Sequence, residues 1–468
     1  MPGSRSPEAL LFGSLLTVDA ATATTLAIVA VLVAALAWML AGRWLAAGFD
    51  SATAKHTGSA RSDVALLACV ALAAGAALPV TGALLAGALL IVPAATARML
   101  TDRARRMPAL SFALAALIGS GGLYCSLNFD LPTGAAIAAV AGACFFVVAG
   151  ARAAIERSAG SRRVPALAAA ALTAMLLAGC GGGTTDNSGS DGKLDVVATT
   201  PQIADIVRQV GGEAVDVSAL LPAGADPHEY EPKPSAISAL GGADVIFRSG
   251  GDIDEWLLPA VKAASPSSAP VDLSRAAVLL EGEEANGVNA HWYLSPENVA
   301  RAAQKVRDTL VKADPSARET FRANTTAYMN EIDAAREKLT ACVAKVPAGG
   351  RALATGHDDF AYLADSFDLK IVAQLAETGE SQPSASELQK AVDAARSGGA
   401  KALVASRGEV THLEQQVASK LGIPLLQLYA DNLTTGDDAS TLLGAIGYDV
   451  DRIVDAVSDG SVKCPATQ

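Results

Sequence analysis

The sequence has no long block of like charge, no Cys-x-x-Cys pair and only 5 histidines in 468 residues. Proteins that bind nucleic acid gather Lys and Arg against phosphates, whereas this chain has a net charge of −12, so no nucleic-acid partner is expected. The missing cysteine pairs argue against a thiolate metal site. The sequence also lacks a Gly-x-x-x-x-Gly-Lys-Ser/Thr loop, so a phosphate-cradling ATPase site in this chain is excluded.

Charge is divided unevenly along the chain. Residues 1–163 contain 12 Lys and Arg against 7 Asp and Glu, and residues 164–468 contain 24 against 41. Residues 1–163 also hold long uncharged runs of Ala, Leu, Val and Gly, while the remainder has the mixed composition of a soluble α/β domain. This asymmetry predicts two bodies in different surroundings.

Residues 1–163 contain apolar runs of the length that crosses a bilayer, which takes about 20 residues. The runs occupy 23–41, 64–97, 109–126 and 132–150. The second run has room for two short passes, with Pro79 and Gly82 marking a turn, so we predict about five transmembrane helices. The basic clusters between and after the runs are rich in arginine, which places these loops in the cytoplasm.

Four short segments of this apolar part are specific enough to suggest a relationship: Leu11–Leu16, Phe49–Gly58, Leu90–Arg98 and Leu131–Ile137. In this order they resemble the permease subunits of zinc/manganese ABC importers, the ABC-3 family. The resemblance covers only the C-terminal part of such a permease. It implies a permease subunit and a separate ATP-binding subunit as partners, with Phe49–Gly58 docking on the latter. A generic membrane anchor is the alternative.

A signal-like segment lies inside the chain. Arg162 and Arg163 precede the apolar run Val164–Ala178, which is shorter than a typical span and leads into Gly179-Cys180. The Leu-Ala-Gly-Cys ending resembles the bacterial lipoprotein signal, in which the cysteine is lipidated. The Gly- and Ser-rich stretch that follows is typical of a flexible tether.

We therefore predict a partial permease at 1–163, a signal segment at 164–180 and a linker at 181–193. Two alternatives stay open: a sixth spanning helix at residues 164–180, and two adjacent genes read as one. With either topology the basic residues lie inside, and everything after Cys180 lies outside the cytoplasm, at the cell membrane.

Residues 194–468 alternate strands and helices. Strands are predicted at 194–200, 215–221, 243–249, 352–355, 402–405 and 425–429, and a long helix without Pro or Gly at 316–345. Such alternation indicates parallel sheets covered by helices. The predicted fold is multi-domain: all-α transmembrane helices, then a two-lobed α/β solute-binding protein at 194–468. Its lobes, at about 194–315 and 346–468, are joined by the long helix.

Three histidines and one aspartate each follow a predicted strand or turn, where ligands of open α/β sheets gather. They stand in Asp226–Pro232, His291–Asn298, His357–Leu363 and Asp431–Leu433. The order and spacing of these motifs resemble the solute-binding proteins of zinc/manganese ABC importers, the cluster A-I family. The resemblance implies that His228, His291, His357 and Asp431 are the metal ligands. Ala290 and Ser295 depart from the family's pattern, which affects the hydrogen bonds around the second ligand.

The resemblance predicts extracytoplasmic capture of zinc as cargo and its delivery to an ABC importer, without enzymatic activity. Three imidazoles and one carboxylate suit four-coordinate Zn²⁺, whereas Mn²⁺ prefers more oxygen ligands. Manganese or another divalent metal is the alternative. A secreted zinc hydrolase is a remote alternative, since Glu229 is an accessory carboxylate beside a ligand but no His-Glu-x-x-His helix is present.

The soluble part contains two cysteines besides the one expected to carry lipid, Cys342 and Cys464. Extracytoplasmic compartments are oxidising, so we predict a disulfide between them. The alternative is two free buried thiols. The remaining cysteines, Cys69, Cys125 and Cys144, lie in apolar runs and are expected to behave as small hydrophobic residues.

Overall fold

The computed structural model describes residues 20–49, 59–104, 106–157, 192–225, 227, 230–251, 253–282, 287–376, 383–408, 410, 412–436 and 439–464. The predicted signal segment 164–180, with Cys180, lies outside the described residues, as do His228 and Glu229. The chain divides into a helical unit and an α/β unit, and each is described by itself.

The helical unit consists of four helices in its described part. They are α1 Ala20–Phe49, α2 Ser59–Leu100, α3 Met107–Phe129 and α4 Thr133–Arg157. By length and composition, the stretches Ala20–Trp44, Met107–Phe129 and Thr133–Ala153 can cross a membrane, and α2 contains two shorter apolar stretches, Val64–Leu78 and Leu85–Leu100.

The turn predicted at Pro79 and Gly82 is replaced by helix, because α2 runs unbroken from Ser59 to Leu100. A proline inside a helix removes one backbone hydrogen bond, and an apolar helix packed against neighbours can continue through it. The sequence pattern therefore marked two apolar stretches correctly, but the residues between them do not reverse the chain.

Helices α2, α3 and α4 pack around a small apolar core of Leu85, Ile118, Ile137 and Ala141. The closest approach is at Gly122 of α3. A Cβ atom there would lie 2.5 Å from the Cα atom of Ile137 on α4, so only glycine permits this crossing. Small residues at helix crossings are the usual means by which apolar helices approach closely.

The α/β unit contains two sheets of four parallel strands. The first has the order β2-β1-β3-β4 and the second the order β6-β5-β7-β8. The strands are β1 Leu194–Ala198, β2 Val215–Ala219, β3 Val245–Arg248, β4 Val271–Asp272, β5 Ala352–Thr355, β6 Lys370–Gln374, β7 Ala402–Ser406 and β8 Leu425–Leu428. The central strands are apolar and buried, as expected for parallel sheets covered on both faces.

Helices connect and cover the strands. They are α5 Pro201–Gly211, α6 Pro234–Gly242, α7 Leu257–Ala264, α8 Pro296–Ala313, α9 Arg318–Val343, α10 Ala361–Ser366, α11 Ala385–Ser397, α12 His412–Leu421 and α13 Leu442–Val457. Several begin with local sequence signals. Thr200 caps α5 ahead of Pro201, and Ser384 and Glu387 form a reciprocal capping box at the start of α11.

Helix α9 joins the two lobes. It has no Pro or Gly, and its buried residues recur at helical spacing, Phe321, Thr325, Tyr328, Ile332, Leu339 and Cys342 among them. This stripe belongs to one apolar core that includes side chains from both lobes, such as Phe247 and Phe360. The predicted fold class, transmembrane-type helices followed by a two-lobed α/β unit with a long linking helix, is confirmed.

Candidate metal centre

Three of the predicted ligands are brought together by the carboxyl ends of strands. His357 comes two residues after β5, and Asp431 comes three residues after β8. His291 precedes the short turn Trp292–Leu294 in the first lobe, and the Trp292 indole N–H holds that turn by donating to the Ser249 carbonyl at the end of β3 (3.1 Å). In the second sheet, β5 and β7 are neighbours where the strand order reverses, which is where open α/β sheets bind ligands.

The three side chains converge in a buried position between the lobes. One potential ligand atom from each of His291, His357 and Asp431 lies within 4.8 Å of the others. Nε2 of His291 is 3.1 Å from Oδ1 of Asp431, and the two imidazole rings are 5.7 Å apart between centroids. Ligands of a tetrahedral zinc ion sit about 2 Å from the metal and therefore about 3.3 Å from each other, so small side-chain movements suffice to close this set around an ion.

The carboxylate of Asp431 is fully buried and is held by hydroxyl groups. The Tyr293 hydroxyl donates to Oδ1 (3.3 Å), and the Ser406 hydroxyl donates to Oδ2 (2.8 Å). Tyr293 lies two residues after His291, and Ser406 ends β7 beside β8. The aspartate is therefore fixed from both lobes, and Oδ1 is directed toward His291.

The ring of His291 is held from behind by Asn289. The amide oxygen of Asn289 lies 3.1 Å from Nδ1 of His291 and accepts a hydrogen bond from the His291 backbone N–H at 2.9 Å. A hydrogen bond at the nitrogen that faces away from the metal is the usual arrangement for a ligating histidine. Ala290 and Ser295 depart from the family's pattern, so different hydrogen bonds around His291 were expected. The side-chain amide of Asn289 still provides a hydrogen-bond partner for His291.

A second carboxyl group lies next to the cluster without being a predicted ligand. Asp359 is fully buried, and its Oδ1 accepts hydrogen bonds from the Thr355 hydroxyl (2.9 Å) and the Phe360 N–H (3.1 Å). Burial raises the pKa of Asp359 well above its ordinary value, and the nearby positive charge of His291, when protonated, acts in the opposite direction. Its Oδ2 lies 3.9 Å from Nδ1 of His357, which fits a supporting role beside that imidazole.

The fourth predicted ligand, His228, and the accessory Glu229 lie outside the described residues, but the chain on either side is anchored. The Trp256 indole N–H donates to the Pro227 carbonyl (3.0 Å), and the Trp256 ring packs edge-on against Tyr230 with centroids 4.7 Å apart. His412, which we predicted to be a surface residue, is exposed at the start of α12.

Sequence reasoning missed two supporting residues. Ser406 is an ordinary strand-end serine until the pairing of β7 with β8 places it beside Asp431. Asn289 precedes His291 by two residues, a spacing that could have been noticed, because short polar side chains often bond to the backbone two residues on. The predicted cysteine pair is also present as a bond: Cys342 and Cys464 form a disulfide with Cα atoms 5.5 Å apart.

The two-lobed fold and this buried His and Asp cluster define a metal-binding solute-binding protein of the ABC importer class. The chain belongs to the family described as zinc-uptake complex component A, periplasmic (ZnuA), whose family model matches residues 196–456. Residues 4–152 match the model of the ABC 3 transport family. The chain therefore combines an ABC-3 permease segment with a solute-binding domain, as predicted.

Individual relatives cover the solute-binding part. The chain is 26% identical over 287 residues to the manganese-binding lipoprotein MntA of Halalkalibacterium halodurans, covering 61% of this chain and 95% of that protein. It is 25% identical over 302 residues to the manganese ABC transporter substrate-binding lipoprotein PsaA of Streptococcus pneumoniae, covering 61% and 96%.

Solved structures show the same fold. A crystal structure of ZnuA matches at 25% identity with a TM-score of 0.50, covering 57% of this chain and 99% of that one. A cadmium-bound periplasmic metal-binding protein from Candidatus Liberibacter asiaticus matches at 23% identity with a TM-score of 0.52, covering 56% and 98%.

Proposed function

We propose that the α/β unit captures one Zn²⁺ ion outside the cytoplasm and delivers it to an ABC importer. The observation that carries this proposal is the convergence of His291, His357 and Asp431, drawn from both lobes, in one buried position. Burying polar groups of this kind is costly unless they are satisfied, and a divalent cation satisfies imidazole nitrogens and a carboxylate together. His228 is the proposed fourth ligand.

Zinc is the proposed cargo because of the chemistry of the ligand set. Three imidazoles and one carboxylate form a small, nitrogen-rich set that matches four-coordinate Zn²⁺. Such ligands bind Zn²⁺ more tightly than Mn²⁺ in the general affinity order of divalent metals. The ion is cargo in this scheme, and the site performs no reaction.

Manganese is the second candidate, and the relatives support it. The lipoproteins of Halalkalibacterium halodurans and Streptococcus pneumoniae that resemble this chain are both named for manganese. Mn²⁺ favours oxygen ligands and a higher coordination number. A manganese site would therefore have to recruit further oxygen atoms beyond the single carboxylate of Asp431.

Catalysis is not part of the proposed function. A zinc hydrolase keeps one coordination position open for water and places a general base beside it. Four protein ligands fill the shell of a tetrahedral ion, and the curated relatives are named as binding lipoproteins of transporters. The proposed partners are an ABC permease subunit and a separate ATP-binding subunit, with the α/β unit held at the outer face of the cell membrane by the lipidated Cys180.

Competition titration against a chelating dye tests this assignment on the purified full chain in detergent. We expect one Zn²⁺ per chain and much weaker binding of Mn²⁺. Replacing His228, His291 or His357 by Ala should reduce Zn²⁺ affinity by more than the roughly 10–100-fold that changes outside the ligand shell cause. Asp431→Ala should cost less than a histidine replacement, because water or Glu229 can occupy the vacated position.

The exposed His412 provides the matched control, since His412→Ala removes an imidazole without touching the cluster. Its Zn²⁺ affinity should equal that of the wild type. A histidine variant of the cluster with unchanged affinity removes that residue from the site. Tighter binding of Mn²⁺ than of Zn²⁺ by the wild-type chain overturns the proposed cargo.

A further inference from the structure

We infer that two side chains of helix α5 hold the segment between β8 and α13, so that the first lobe positions Asp431, a proposed ligand of the second lobe. The two residues are Gln202 and Asp205, which lie about one helical turn apart on the same face of α5. Both are positioning residues, and neither belongs to the ligand set. The inference rests on the proposed function, since Asp431 is part of the proposed site.

Helix α5 is a rigid base for these contacts. Its apolar side chains Ile203, Ile206 and Val207 are fully buried in the main core of the α/β unit. Gln202 and Asp205 are buried as well, with 1% and 7% of their surface exposed. Burying an amide or a carboxyl group costs free energy unless protein hydrogen bonds replace those to water. The partners of these two side chains therefore indicate what the side chains do.

Gln202 holds the start of the segment. Its Nε2 donates to the backbone carbonyl of Ala430, the residue before Asp431 (3.2 Å). A carbonyl oxygen can only accept, so the NH₂ group of the amide faces Ala430. Among the described residues, Oε1 of Gln202 has no hydrogen-bond partner. The contact with Ala430 is thus the one that offsets the burial of this amide within the described part of the chain.

Asp205 holds the end of the segment. Its Oδ2 accepts from the backbone N–H of Leu442, the first residue of α13 (2.9 Å). The first N–H groups of a helix lack partners within the helix and favour a negative charge nearby. The Thr441 side chain accepts from the Gly444 N–H, and Asp205 supplies the acceptor for Leu442. Burial raises the pKa of Asp205, and the Leu442 hydrogen bond is the largest influence that lowers it.

The two bonds together place the backbone that carries Asp431. They join residues 228 and 237 positions apart along the chain, from the first lobe to the second. The hydroxyls of Tyr293 and Ser406 orient the carboxylate, whereas α5 fixes the backbone behind it. His291 belongs to the same lobe as α5, so the position of Asp431 relative to that histidine depends on these two bonds.

Three variants remove or keep the bonds selectively. Gln202→Met keeps the length of the side chain but removes the donor. Asp205→Ala removes the acceptor, and Asp205→Asn keeps an oxygen that accepts from the Leu442 N–H. Asn324→Leu is the matched control: Asn324 of α9 donates its amide to the carbonyl of Val210 on α5 (3.1 Å), so the variant loses the same kind of bond to the same helix without touching the Asp431 segment.

The first measurement is Zn²⁺ affinity of the full chain in detergent, by competition with a chelating dye. Gln202→Met and Asp205→Ala should each lose about tenfold, the lower end of the effect of changes around a ligand. Asp205→Asn and Asn324→Leu should bind as the wild type does. In an Asp431→Ala background, Gln202→Met should cause no further loss, because a residue that acts through Asp431 has nothing left to position.

The second measurement needs no metal. Hydrogen exchange of the metal-free chain, followed by mass spectrometry with fragmentation that resolves the Leu442 amide, reports directly on the Asp205 bond. This amide should be protected in the wild type, Asp205→Asn and Asn324→Leu. It should exchange about tenfold faster in Asp205→Ala, as expected when one buried hydrogen bond is lost.

Unchanged affinity in Gln202→Met, or an equal loss with and without the Asp431 carboxylate, overturns the inference, because the residue then acts through the fold as a whole. Unchanged exchange of the Leu442 amide in Asp205→Ala overturns it as well. If Asp205→Ala does not fold, the cycle of Gln202→Met with Asp431→Ala decides. A wild type that binds neither Zn²⁺ nor Mn²⁺ but shows the expected exchange pattern contradicts the proposed function and supports the hold of α5 on the segment.

Discussion

Asp449 is a buried acid that supports the strand end from which Asp431 projects. It lies on α13, and its Oδ1 accepts a hydrogen bond from the backbone N–H of Tyr429, the residue after β8 (2.9 Å). Burial raises the pKa of Asp449 well above its ordinary value, the Tyr429 hydrogen bond lowers it, and the charge of Arg407 lowers it further. The carboxyl group is therefore more easily protonated in the folded chain than in the unfolded one.

Replacing Asp449 by Asn should stabilise the α/β unit at neutral pH. An unfolded Asp ionises near pH 3.9, so the stability that depends on a raised pKa is complete below that pH and is lost as pH rises through the folded pKa. Asparagine keeps the oxygen that accepts from Tyr429 and never ionises. The gain in unfolding free energy at pH 7, about 1–3 kcal/mol for relieving a buried polar group, should shrink toward pH 4.5.

Urea unfolding of the metal-free chain, followed by tryptophan fluorescence between pH 4.5 and 7.5, measures this effect. Asp455→Asn is the control, since Asp455 lies on the same helix but is partly exposed beside Arg452. A gain for Asp449→Asn that is the same at every pH would show that the ionisation of Asp449 does not contribute.

Helix α9 and helix α13 are tied at their ends by the disulfide between Cys342 and Cys464. Cys342 lies in the last turn of α9, and Cys464 follows α13, where its N–H also donates to Asp451 of that helix (2.7 Å). The two residues are 122 positions apart, so the bond closes a loop that contains most of the second lobe. Closing a long loop restricts the unfolded chain more than the folded one.

Cys464→Ser should lower the unfolding free energy of the α/β unit by about 2–4 kcal/mol. Adding a reductant to the wild type should produce the same loss, and adding it to the variant should produce none. Alkylation followed by peptide mass spectrometry checks the bond directly: both cysteines should be labelled only after reduction. Labelling of Cys342 without reduction would show free thiols.

The elements that the sequence predicted well are those with a local signal. The predicted strand 352–355 matches β5, because a short apolar run marks it, and the predicted helix 316–345 is observed as α9 at Arg318–Val343, because neither Pro nor Gly interrupts it. Strand β6 was not predicted, since it lies at the sheet edge and is only partly buried from Lys370 onward. Strand β4 has two residues, too few for any periodicity.

The sequence indicated three residues that the structure brings together, but not the residues that support them. His291 and His357 belong to a residue type that occurs only 5 times in the sequence, and Asp431 stands in a recognisable motif, so their sequence context is informative. Ser406 reaches Asp431 across neighbouring strands, and Asn289 reaches the Asp358 carbonyl of the other lobe, and no local pattern encodes either contact. Their roles depend on the approach of segments that are 25 and 69 residues apart along the chain.

At the scale of the whole molecule, the chain joins a permease-type helical unit to a solute-binding unit. The models of the two families match 4–152 and 196–456, and the predicted signal segment 164–180 falls between them. A signal at this position would allow the two units to be separated after synthesis.

Cleavage before Cys180 and lipidation of its thiol are the expected outcome in a bacterial cell. Mass spectrometry of the membrane fraction should find the α/β unit beginning at a lipid-modified Cys180, detached from residues 1–179. Cys180→Ser should abolish the modification and leave the chain intact. An intact wild-type chain with an unmodified Cys180 would favour the alternative of a sixth spanning helix.

The placement of His291 in one lobe and Asp431 in the other has a consequence for the lifetime of the protein. An ion bound by both residues would link the two lobes. It would stabilise the folded state by an amount set by its free concentration relative to its dissociation constant, about 4 kcal/mol at a thousandfold excess. Copies of the protein that have bound the metal should therefore resist extracytoplasmic proteases better than metal-free copies. Metal scarcity would then shorten the survival of the very molecules that gather the metal, and replacing them would depend on new synthesis.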